Sequence, residues 1–291
     1  MTEELLKKGT LAKDAAFKLV TTKSEIKNAA LAKIADALIK NSAEILVANK
    51  TDIENAEKKG TRKAMIDRLT LTDARIADMA EGVRQVAALD DPIGKIIDEW
   101  ERPNGLKIAK KRVPIGVIGI IYEARPNVTV DAAVLCLKSS NAVILRGGSE
   151  AISSNKAIMK IMQDAAYSAG IPEGSMNIVE DTSRATATEL MKMNGYIDLL
   201  IPRGSAGLIR SVVENATVPV IETGAGNCHI YVDSDCDFDM AIKICENARV
   251  SRPSVCNSAE TFLIDKKIAN EFLPKLAKVL KDDHVEIRGC D

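Results

Sequence analysis

Cys256 is the residue whose type and setting could carry covalent chemistry on a carbonyl group. It lies in the segment S-R-P-S-V-C-N, between a predicted helix over 240–249 and a predicted strand over 260–264. A thiol on such a loop, close to Arg252 and to helix ends, ionises more readily than a buried thiol. A single cysteine is nevertheless more often a small apolar residue, so its type alone does not identify a nucleophile.

Glycine-containing turns after predicted strands are candidate binding positions. The segment 146–148, Arg-Gly-Gly, follows an apolar strand and can hold a phosphate or simply close a turn. The segment 203–207 leads into a helix, whose N-terminal amides favour an anion. Glu222 ends a predicted strand over 218–221 and precedes two glycines, and a carboxylate placed there is a candidate acid or base.

The spacing of apolar residues predicts the elements that position these groups. Over 3–89 it has the helical period, with Ser24 as an N-cap, Gly60 as a stop and Thr72 as a start. The dipeptide Asn104-Gly105 predicts a tight hairpin turn with positive φ at both residues.

Beyond residue 113, short β-branched segments alternate with helical ones, which predicts a parallel, doubly wound sheet. The same spacing predicts further strands over 228–232 and 285–288. Ligands of doubly wound sheets bind beyond the carboxyl ends of the strands. The glycine turns above are therefore expected at the binding edge.

Composition narrows the functional classes. Forty basic and 41 acidic residues give a net charge of -1, which offers no electrostatic footprint for nucleic acid or a membrane surface. The longest apolar stretch, 113–122, is too short to span a membrane, and the N-terminus lacks an apolar signal core, so a cytoplasmic location is expected. The six cysteines form no C-x-x-C pair, so neither a metal site nor a disulfide framework is expected.

Several segments taken in order resemble the gamma-glutamyl phosphate reductases, a branch of the aldehyde dehydrogenase superfamily. They are V-P-I-G-V-I-G-I-I-Y-E-A-R-P-N-V-T, L-R-G-G-S-E-A, P-R-G-S, E-T-G-A-G-N-C-H and S-R-P-S-V-C-N. The resemblance runs the length of the chain. In that superfamily a strand-end glutamate precedes the nucleophilic cysteine at the interval that separates Glu222 from Cys256. The resemblance therefore identifies Cys256 as the nucleophile.

The resemblance implies NADPH-dependent reduction of L-glutamyl 5-phosphate to L-glutamate 5-semialdehyde and phosphate through a thioester on Cys256. This reaction is the second step of proline biosynthesis from glutamate. The Cys256 backbone amide and the Asn127 side chain would stabilise the oxyanion, although Arg125 competes for the position of Asn127. Glu222 would order the cofactor or move a proton on the thiol, because activating water would hydrolyse the thioester.

The implied fold is aldehyde dehydrogenase-like, with a Rossmann-type cofactor domain and an incomplete α/β catalytic domain. Residues 1–224 would form the helical region and the NADPH-binding domain, with a hairpin at 96–113 belonging to an oligomerisation arm. Residues 225–291 would form the partial catalytic domain. Arg252 and Arg125 would hold the leaving phosphate or the substrate carboxylate. The residues that match the family's cofactor turns are Arg146, Gly147, Gly148, Gly204 and Ser205.

The chain departs from the family by ending at Asp291, where about the last third is expected to be missing. The full-length family forms homo-oligomers. No kinase-like region precedes Met1, so a separate glutamate 5-kinase is the expected partner. The competing interpretations are an inactive fragment, an aldehyde-oxidising dehydrogenase, and a cysteine hydrolase that pairs Cys256 with His229.

Overall fold

A computed structural model describes residues 1–123, 125–224, 226–253 and 255–290, without the side chain of Ala64. The chain divides into two compact units, Met1–Thr223 and Gly224–Asp291. Three residues of the segments quoted above lie outside the described residues, as does the last residue; they are Ala124, Ala225, Ser254 and Asp291.

Helices and strands occupy most of both units. The helices are α1 (Glu3–Leu19), α2 (Ser24–Lys40), α3 (Ser42–Lys58), α4 (Lys63–Leu69), α5 (Asp73–Ala88), α6 (Pro126–Lys138), α7 (Ile152–Ser168), α8 (Arg184–Leu190), α9 (Ala206–Asn215), α10 (Phe238–Val250) and α11 (Ala269–Asp282), with a short 3-10 helix at Ser149–Ala151. The strands are β1 (Ile96–Glu101), β2 (Lys107–Lys111), β3 (Val117–Tyr122), β4 (Ala142–Arg146), β5 (Met176–Ile178), β6 (Leu199–Arg203), β7 (Cys228–Val232) and β8 (Ala259–Ile264).

The N-terminal helices α1 to α5 confirm the helical region predicted over 3–89. Thr72 caps α5, where its side chain accepts a hydrogen bond from the Arg75 amide at 3.2 Å, and Gly60 follows α3 with a φ of +68°. The prediction for Ser24 is wrong. Lys23 is the N-cap residue of α2, because the Ser24 hydroxyl instead donates to the Asp91 carboxylate, which is distant in sequence.

Strands of the first unit form a parallel sheet in the order β5-β4-β3-β6 within the described residues. β3 is buried at all six positions, as expected of a parallel strand covered on both faces. The strand predicted over 218–221 is wrong, since this segment makes only one bridge, between Val220 and Leu200. Pro219 within it has no amide hydrogen to donate to a ladder.

The strands β1 and β2 form an antiparallel hairpin, but its turn differs from the prediction. The Arg102 amide bonds to the Leu106 carbonyl at 2.9 Å, which leaves a three-residue loop. Within this loop, Gly105 is the one residue with positive φ, at +82°. Pro103 fixes the start of the loop at negative φ, so glycine supplies the left-handed residue at its end.

Lys27 is a buried cation that holds the helical layer to the sheet connections. Its side chain is 1% exposed, and its Nζ donates to the Asp91 carboxylate at 2.5 Å, to the Ser140 hydroxyl at 2.8 Å and to the Lys138 carbonyl at 3.2 Å. Burial opposes ionisation of Asp91, but hydrogen bonds from Lys27, Ser24 and the Ile93 amide together outweigh it and lower the Asp91 pKa.

The second unit is a small α/β layer. β7 pairs in parallel with β8, and the rings of Phe238 and Phe272 meet edge to face at 5.2 Å between centroids in its core. The strand predicted over 285–288 is wrong; these residues are irregular, and no described strand pairs with them. Over the described residues, no helix is both long enough and apolar enough to cross a membrane.

Candidate active site

The turn after β4 is a close approach of backbone to a buried polar network. A Cβ atom on Gly147 would lie 2.4 Å from the Asn155 amide nitrogen and 3.0 Å from the Tyr122 hydroxyl oxygen. Tyr122 and Thr129 share a hydrogen bond of 2.6 Å, and Thr129 donates to the Asn155 carbonyl oxygen at 2.9 Å. Only glycine fits above this network, so the backbone of the turn lies where a side chain would otherwise stand.

The start of α7, which follows this turn, is fixed by a buried carboxylate. Asp52 of α3 is 2% exposed and accepts hydrogen bonds from the amides of Ser153 and Ser154, at 3.1 and 2.7 Å. A carboxylate at a helix N-terminus satisfies amides that have no partner within the helix. The helical region therefore positions the glycine turn from behind.

Arg146 ends β4 and spans to the connection before α8. One terminal nitrogen of its guanidinium donates to the Thr182 carbonyl at 2.5 Å and to the Ser183 carbonyl at 3.3 Å. Burial lowers the pKa of Arg146, and the charges of Glu150 and Asp181 oppose this change. Its Nε and the Asn155 amide nitrogen are buried without a hydrogen-bond partner among the described residues.

These features fit a phosphorylated cofactor at the first turn. A glycine turn that excludes side chains lets a ligand approach the backbone, and a cation with an unused donor complements a phosphate. Among the described residues, the hydrogen bonds of the Arg146 side chain come from one terminal nitrogen, which donates to the Thr182 and Ser183 carbonyls.

The turn after β6 holds an internal anion. Ser205 caps α9, and its amide and hydroxyl donate to the Glu123 carboxylate at 3.0 and 2.6 Å. A Cβ atom on Gly204 would lie 2.7 Å from the Glu123 carboxyl carbon. The carboxylate thus rests on the glycine and on the helix N-terminus, in the position that an anionic ligand would take.

Sequence reasoning missed Glu123, although it lies within the segment Y-E-A-R-P-N. The available signal is strand order, because β3 and β6 are parallel neighbours with Tyr122 opposite Arg203. The residues that immediately follow two such strands meet at one edge of the sheet. Knowing which strands are neighbours is what places Glu123 beside Gly204.

Asn127 and Arg125 lie at the start of α6, beyond the carboxyl end of β3, and both are exposed. The Asn127 amide donates to Asp131 at 3.3 Å. Asp131 is exposed as a whole residue, but partial burial of its carboxylate raises its pKa, against the effects of Asn127 and Arg203. That the Asn127 or Arg125 side chain stabilises the oxyanion stays a prediction.

Glu222 follows the single bridge between Val220 and Leu200 and is exposed. The Ile221 amide bonds to the Leu200 carbonyl at 2.9 Å, so the backbone just before Glu222 is fixed against β6. Among the described residues, none donates a hydrogen bond to its carboxylate. It is a solvated carboxylate at the end of the first unit.

Cys256 is exposed in the loop between α10 and β8 of the second unit. Its carbonyl oxygen accepts a hydrogen bond from the Cys228 thiol at 3.4 Å and lies 3.0 Å from the position of a Cβ on Gly226. The buried Ser258 hydroxyl anchors the far end of the loop to the Ala248 carbonyl at 3.3 Å. These two contacts hold the loop at Cys256 itself and on the side that leads into β8, and they leave the thiol accessible.

Arg252 lies in the same loop, and its carbonyl accepts the Val255 amide at 3.2 Å. Its side chain is exposed. Of the predicted site residues, the structure gathers Arg146, Gly147, Gly204 and Ser205 at one edge of the parallel sheet and Arg252 with Cys256 in the second unit.

Comparison with known proteins identifies the family. The aldehyde dehydrogenase family model matches residues 8–286. The chain is 58% identical over 291 residues to a gamma-glutamyl phosphate reductase of Clostridium perfringens, covering all of this chain and 70% of that relative. The chain belongs to the gamma-glutamyl phosphate reductases of the aldehyde dehydrogenase family. It is thus an oxidoreductase, and the family resemblance found in the sequence is confirmed.

Solved structures agree with this family. A gamma-glutamyl phosphate reductase from Thermotoga maritima superposes with a TM-score of 0.91 at 47% identity, covering 99% of this chain and 70% of that one. An engineered glycolyl-CoA reductase with bound NADP+ has a TM-score of 0.67 at 19% identity, covering 94% of this chain and 59% of that one. The predicted aldehyde dehydrogenase-like fold is confirmed, and this family uses nicotinamide cofactors.

Proposed function

We propose that this chain reduces L-glutamyl 5-phosphate to L-glutamate 5-semialdehyde and phosphate, with NADPH as the reductant and Cys256 as the nucleophile. The observation that carries the proposal is the exposed thiol of Cys256 on a loop whose backbone is held at Cys256 and at Ser258. The relatives named gamma-glutamyl phosphate reductase supply the substrate class.

The Cys256 thiolate attacks the carbonyl carbon of the acyl phosphate, a carbon–sulfur bond forms, and the bond to the phosphate oxygen breaks. The product on the protein is a thioester, and phosphate leaves. The guanidinium groups of Arg252 and Arg125 bind the leaving phosphate or the substrate carboxylate, since each presents a fork of donors.

NADPH, when bound, supplies the hydride that the thioester carbon needs. The Cys256 backbone amide and the Asn127 or Arg125 side chain stabilise the negative oxygen that develops at that carbon. The oxygen then re-forms a carbonyl, the carbon–sulfur bond breaks, and Cys256 leaves as a thiolate. Glu222 moves a proton on this thiol or orders the cofactor.

The cofactor is assigned to the two turns at the edge of the parallel sheet. Gly147 and Gly148 let the cofactor approach the backbone, and Gly204 and Ser205 offer helix amides to its phosphates. Arg146 complements the additional phosphate that distinguishes NADPH from NADH. Support comes from the Arg146 Nε, which is buried without a partner among the described residues.

The reaction also suggests where the protein works. An acyl phosphate is a reactive anhydride, so a glutamate 5-kinase that makes it nearby, in the cytoplasm, is the proposed partner. The exposed hairpin of β1 and β2 is assigned to a homo-oligomer, in keeping with unpaired strand edges as pairing surfaces.

The reverse reaction tests the proposal. Purified chain is given glutamate 5-semialdehyde, phosphate and NADP+, and formation of NADPH is followed for the parent, Cys256→Ala and Cys290→Ala. Cys290 is an exposed cysteine outside the loop, so its variant controls for loss of any surface thiol.

Phosphate-dependent turnover in the parent and Cys290→Ala, but not in Cys256→Ala, is the expected result. Turnover that does not require phosphate would instead indicate an aldehyde-oxidising dehydrogenase. No turnover by folded parent protein would mean that this chain is an inactive fragment of the enzyme.

A further inference from the structure

Two cysteine residues of the second unit are in contact at the nucleophile loop. Cys256 is exposed, and Cys228 is half-buried at the first position of β7. The Cys228 thiol donates to the Cys256 carbonyl at 3.4 Å. The two residues are 28 positions apart in sequence, so the fold, and not chain proximity, brings them together.

The Cys228 sulfur lies near the backbone of Cys256. A carbonyl oxygen lies about 2.4 Å from its own Cα, so the Cys228 sulfur is within about 6 Å of the Cys256 Cα. A disulfide requires the two Cβ atoms to lie about 3.5–4.5 Å apart, so the bond forms when the exposed Cys256 side chain and its loop turn toward the strand that carries Cys228.

The local backbone favours this approach. The register of β7 and β8 shifts between Cys228 and His229, which leaves an irregularity at the start of the strand. Gly226 has no side chain between this strand and the loop, and a Cβ there would lie 3.0 Å from the Cys256 carbonyl oxygen. Nothing bulky on Gly226 separates the two cysteines.

We propose that Cys228 and Cys256 form an oxidative modification site, in which Cys228 resolves the sulfenic acid that hydrogen peroxide forms on Cys256. The Cys256 thiolate attacks a peroxide oxygen, the O–O bond breaks, and hydroxide leaves. The Cys228 sulfur then attacks the Cys256 sulfur, the S–O bond breaks, and the oxygen leaves as water with the Cys228 proton.

The net change is one disulfide formed by a two-electron oxidation, with peroxide reduced to water. The disulfide blocks the nucleophile but protects it from sulfinic and sulfonic acids, which thiols do not reverse. A dithiol reductant restores both cysteines by exchange. The chemistry of the pair is independent of turnover, and only its effect on activity rests on the proposed function.

Two of the remaining cysteines, Cys136 and Cys245, are poor competitors for peroxide. Burial raises the pKa of Cys136 to about 12, and burial together with the neighbouring Cys236 raises the pKa of Cys245 to about 11. These thiols stay protonated near neutral pH and react slowly. Cys290 is exposed, and no thiol contact to it is seen in the described residues, so it provides a matched single thiol.

Disulfide mapping of the whole folded chain tests the site. The chain is treated with a few equivalents of hydrogen peroxide, free thiols are alkylated, and the protein is cut without reduction by trypsin and an Asp-specific protease. Cleavage before Asp233 separates Cys228 from Cys236, and cleavage after Arg249 separates Cys245 from Cys256. Each possible pairing therefore gives a different peptide mass.

The expected result is a Cys228–Cys256 linkage in the parent and in Cys290→Ser, removed by dithiothreitol. In Cys228→Ser and Cys228→Ala the linkage is absent, and Cys256 proceeds to sulfinic or sulfonic acid. Parent protein in which Cys256 is overoxidised, unreacted or linked to another cysteine would overturn the proposal. These outcomes are read by mass, so they are separate from failure of the reductase assay.

Discussion

The cofactor turns and the nucleophile loop are built in opposite ways. Beneath Gly147 the first unit has a buried network of Tyr122, Thr129 and Asn155, whereas one thiol hydrogen bond from Cys228 holds the carbonyl of Cys256. The comparison indicates that rigid burial shapes the cofactor edge, while the nucleophile remains accessible on a lightly held loop. Substitutions beneath the sheet edge should therefore cost stability, whereas substitutions at the loop should cost chemistry.

The largest effect on stability is expected for Lys27→Met. The change leaves the Asp91 carboxylate partly buried without its cation, and breaking a buried ion pair costs about 3–5 kcal/mol. Denaturant unfolding gives the free energy. Lys40→Met, at an exposed position on the same helix, is the control and should change it by less than about 0.5 kcal/mol. Equal effects would mean that the buried pair is not what holds α2.

Gly147→Ala should follow in size. The new methyl group would lie 2.4 Å from the Asn155 amide nitrogen, and overpacking of this kind costs about 1–3 kcal/mol. NADPH binding should weaken with it, because the turn must shift. Gly82→Ala, in α5, is the matched control, since its new Cβ would meet nothing within 4 Å. Unchanged stability and NADPH binding in Gly147→Ala would show that the side chains beneath the turn can rearrange to accept the methyl group at little cost in free energy.

Glu123→Gln should have a smaller effect than Gly147→Ala, and it should strengthen NADPH binding where Gly147→Ala weakens it. The neutral amide keeps the shape but weakens the hold on Ser205, because charge-assisted bonds are about twice as strong as neutral ones. The cofactor phosphates then displace it more easily, and the NADPH dissociation constant should fall about tenfold, or about 1.4 kcal/mol. Titration of NADPH fluorescence measures this.

The control for that titration is Glu54→Gln, which removes a carboxylate from an exposed position of α3. It should leave NADPH affinity unchanged. If Glu123→Gln binds NADPH more weakly than the parent does, Glu123 supports the cofactor turn and does not compete for it.

Acid should affect the first unit through Asp91. The Asp91 pKa is lowered in the folded chain, so this group contributes stability above its unfolded pKa of about 3.9 and loses it as the pH falls through the lower folded value. The free energy of unfolding of the parent should therefore decrease as the pH falls below about 4. Asp91→Asn should show a shallower slope there, and an identical slope would exclude Asp91 as the titrating group.

Local pattern predicted much of this fold because the relevant forces are local. The Thr72 cap, the Gly60 stop and the alternation of strands and helices needed no knowledge of distant neighbours. The predictions that failed depend instead on residues that are distant in sequence. The hydroxyl of Ser24 is taken by Asp91, segment 218–221 makes only one bridge to β6, and segment 285–288 has no strand beside it among the described residues.

The candidate site divides along the same line. Arg146, Gly147, Gly204 and Ser205 were visible as turn residues, because they follow apolar strands. Cys256 required the family resemblance, since its loop position near Arg252 made it a candidate but did not identify it as the nucleophile. Glu123 required strand order, which only the assembled sheet provides.

The most direct test of Cys256 as the acyl carrier is to trap the thioester. The chain is incubated with glutamate 5-semialdehyde and NADP+ without phosphate, then quenched in acid and analysed by intact mass and peptide mapping. The account predicts that NADPH forms and that one glutamyl group is found on Cys256. Addition of phosphate after NADPH has formed should remove this group. An acyl group on another residue, or NADPH formed by folded protein with no acyl group on Cys256, would contradict it.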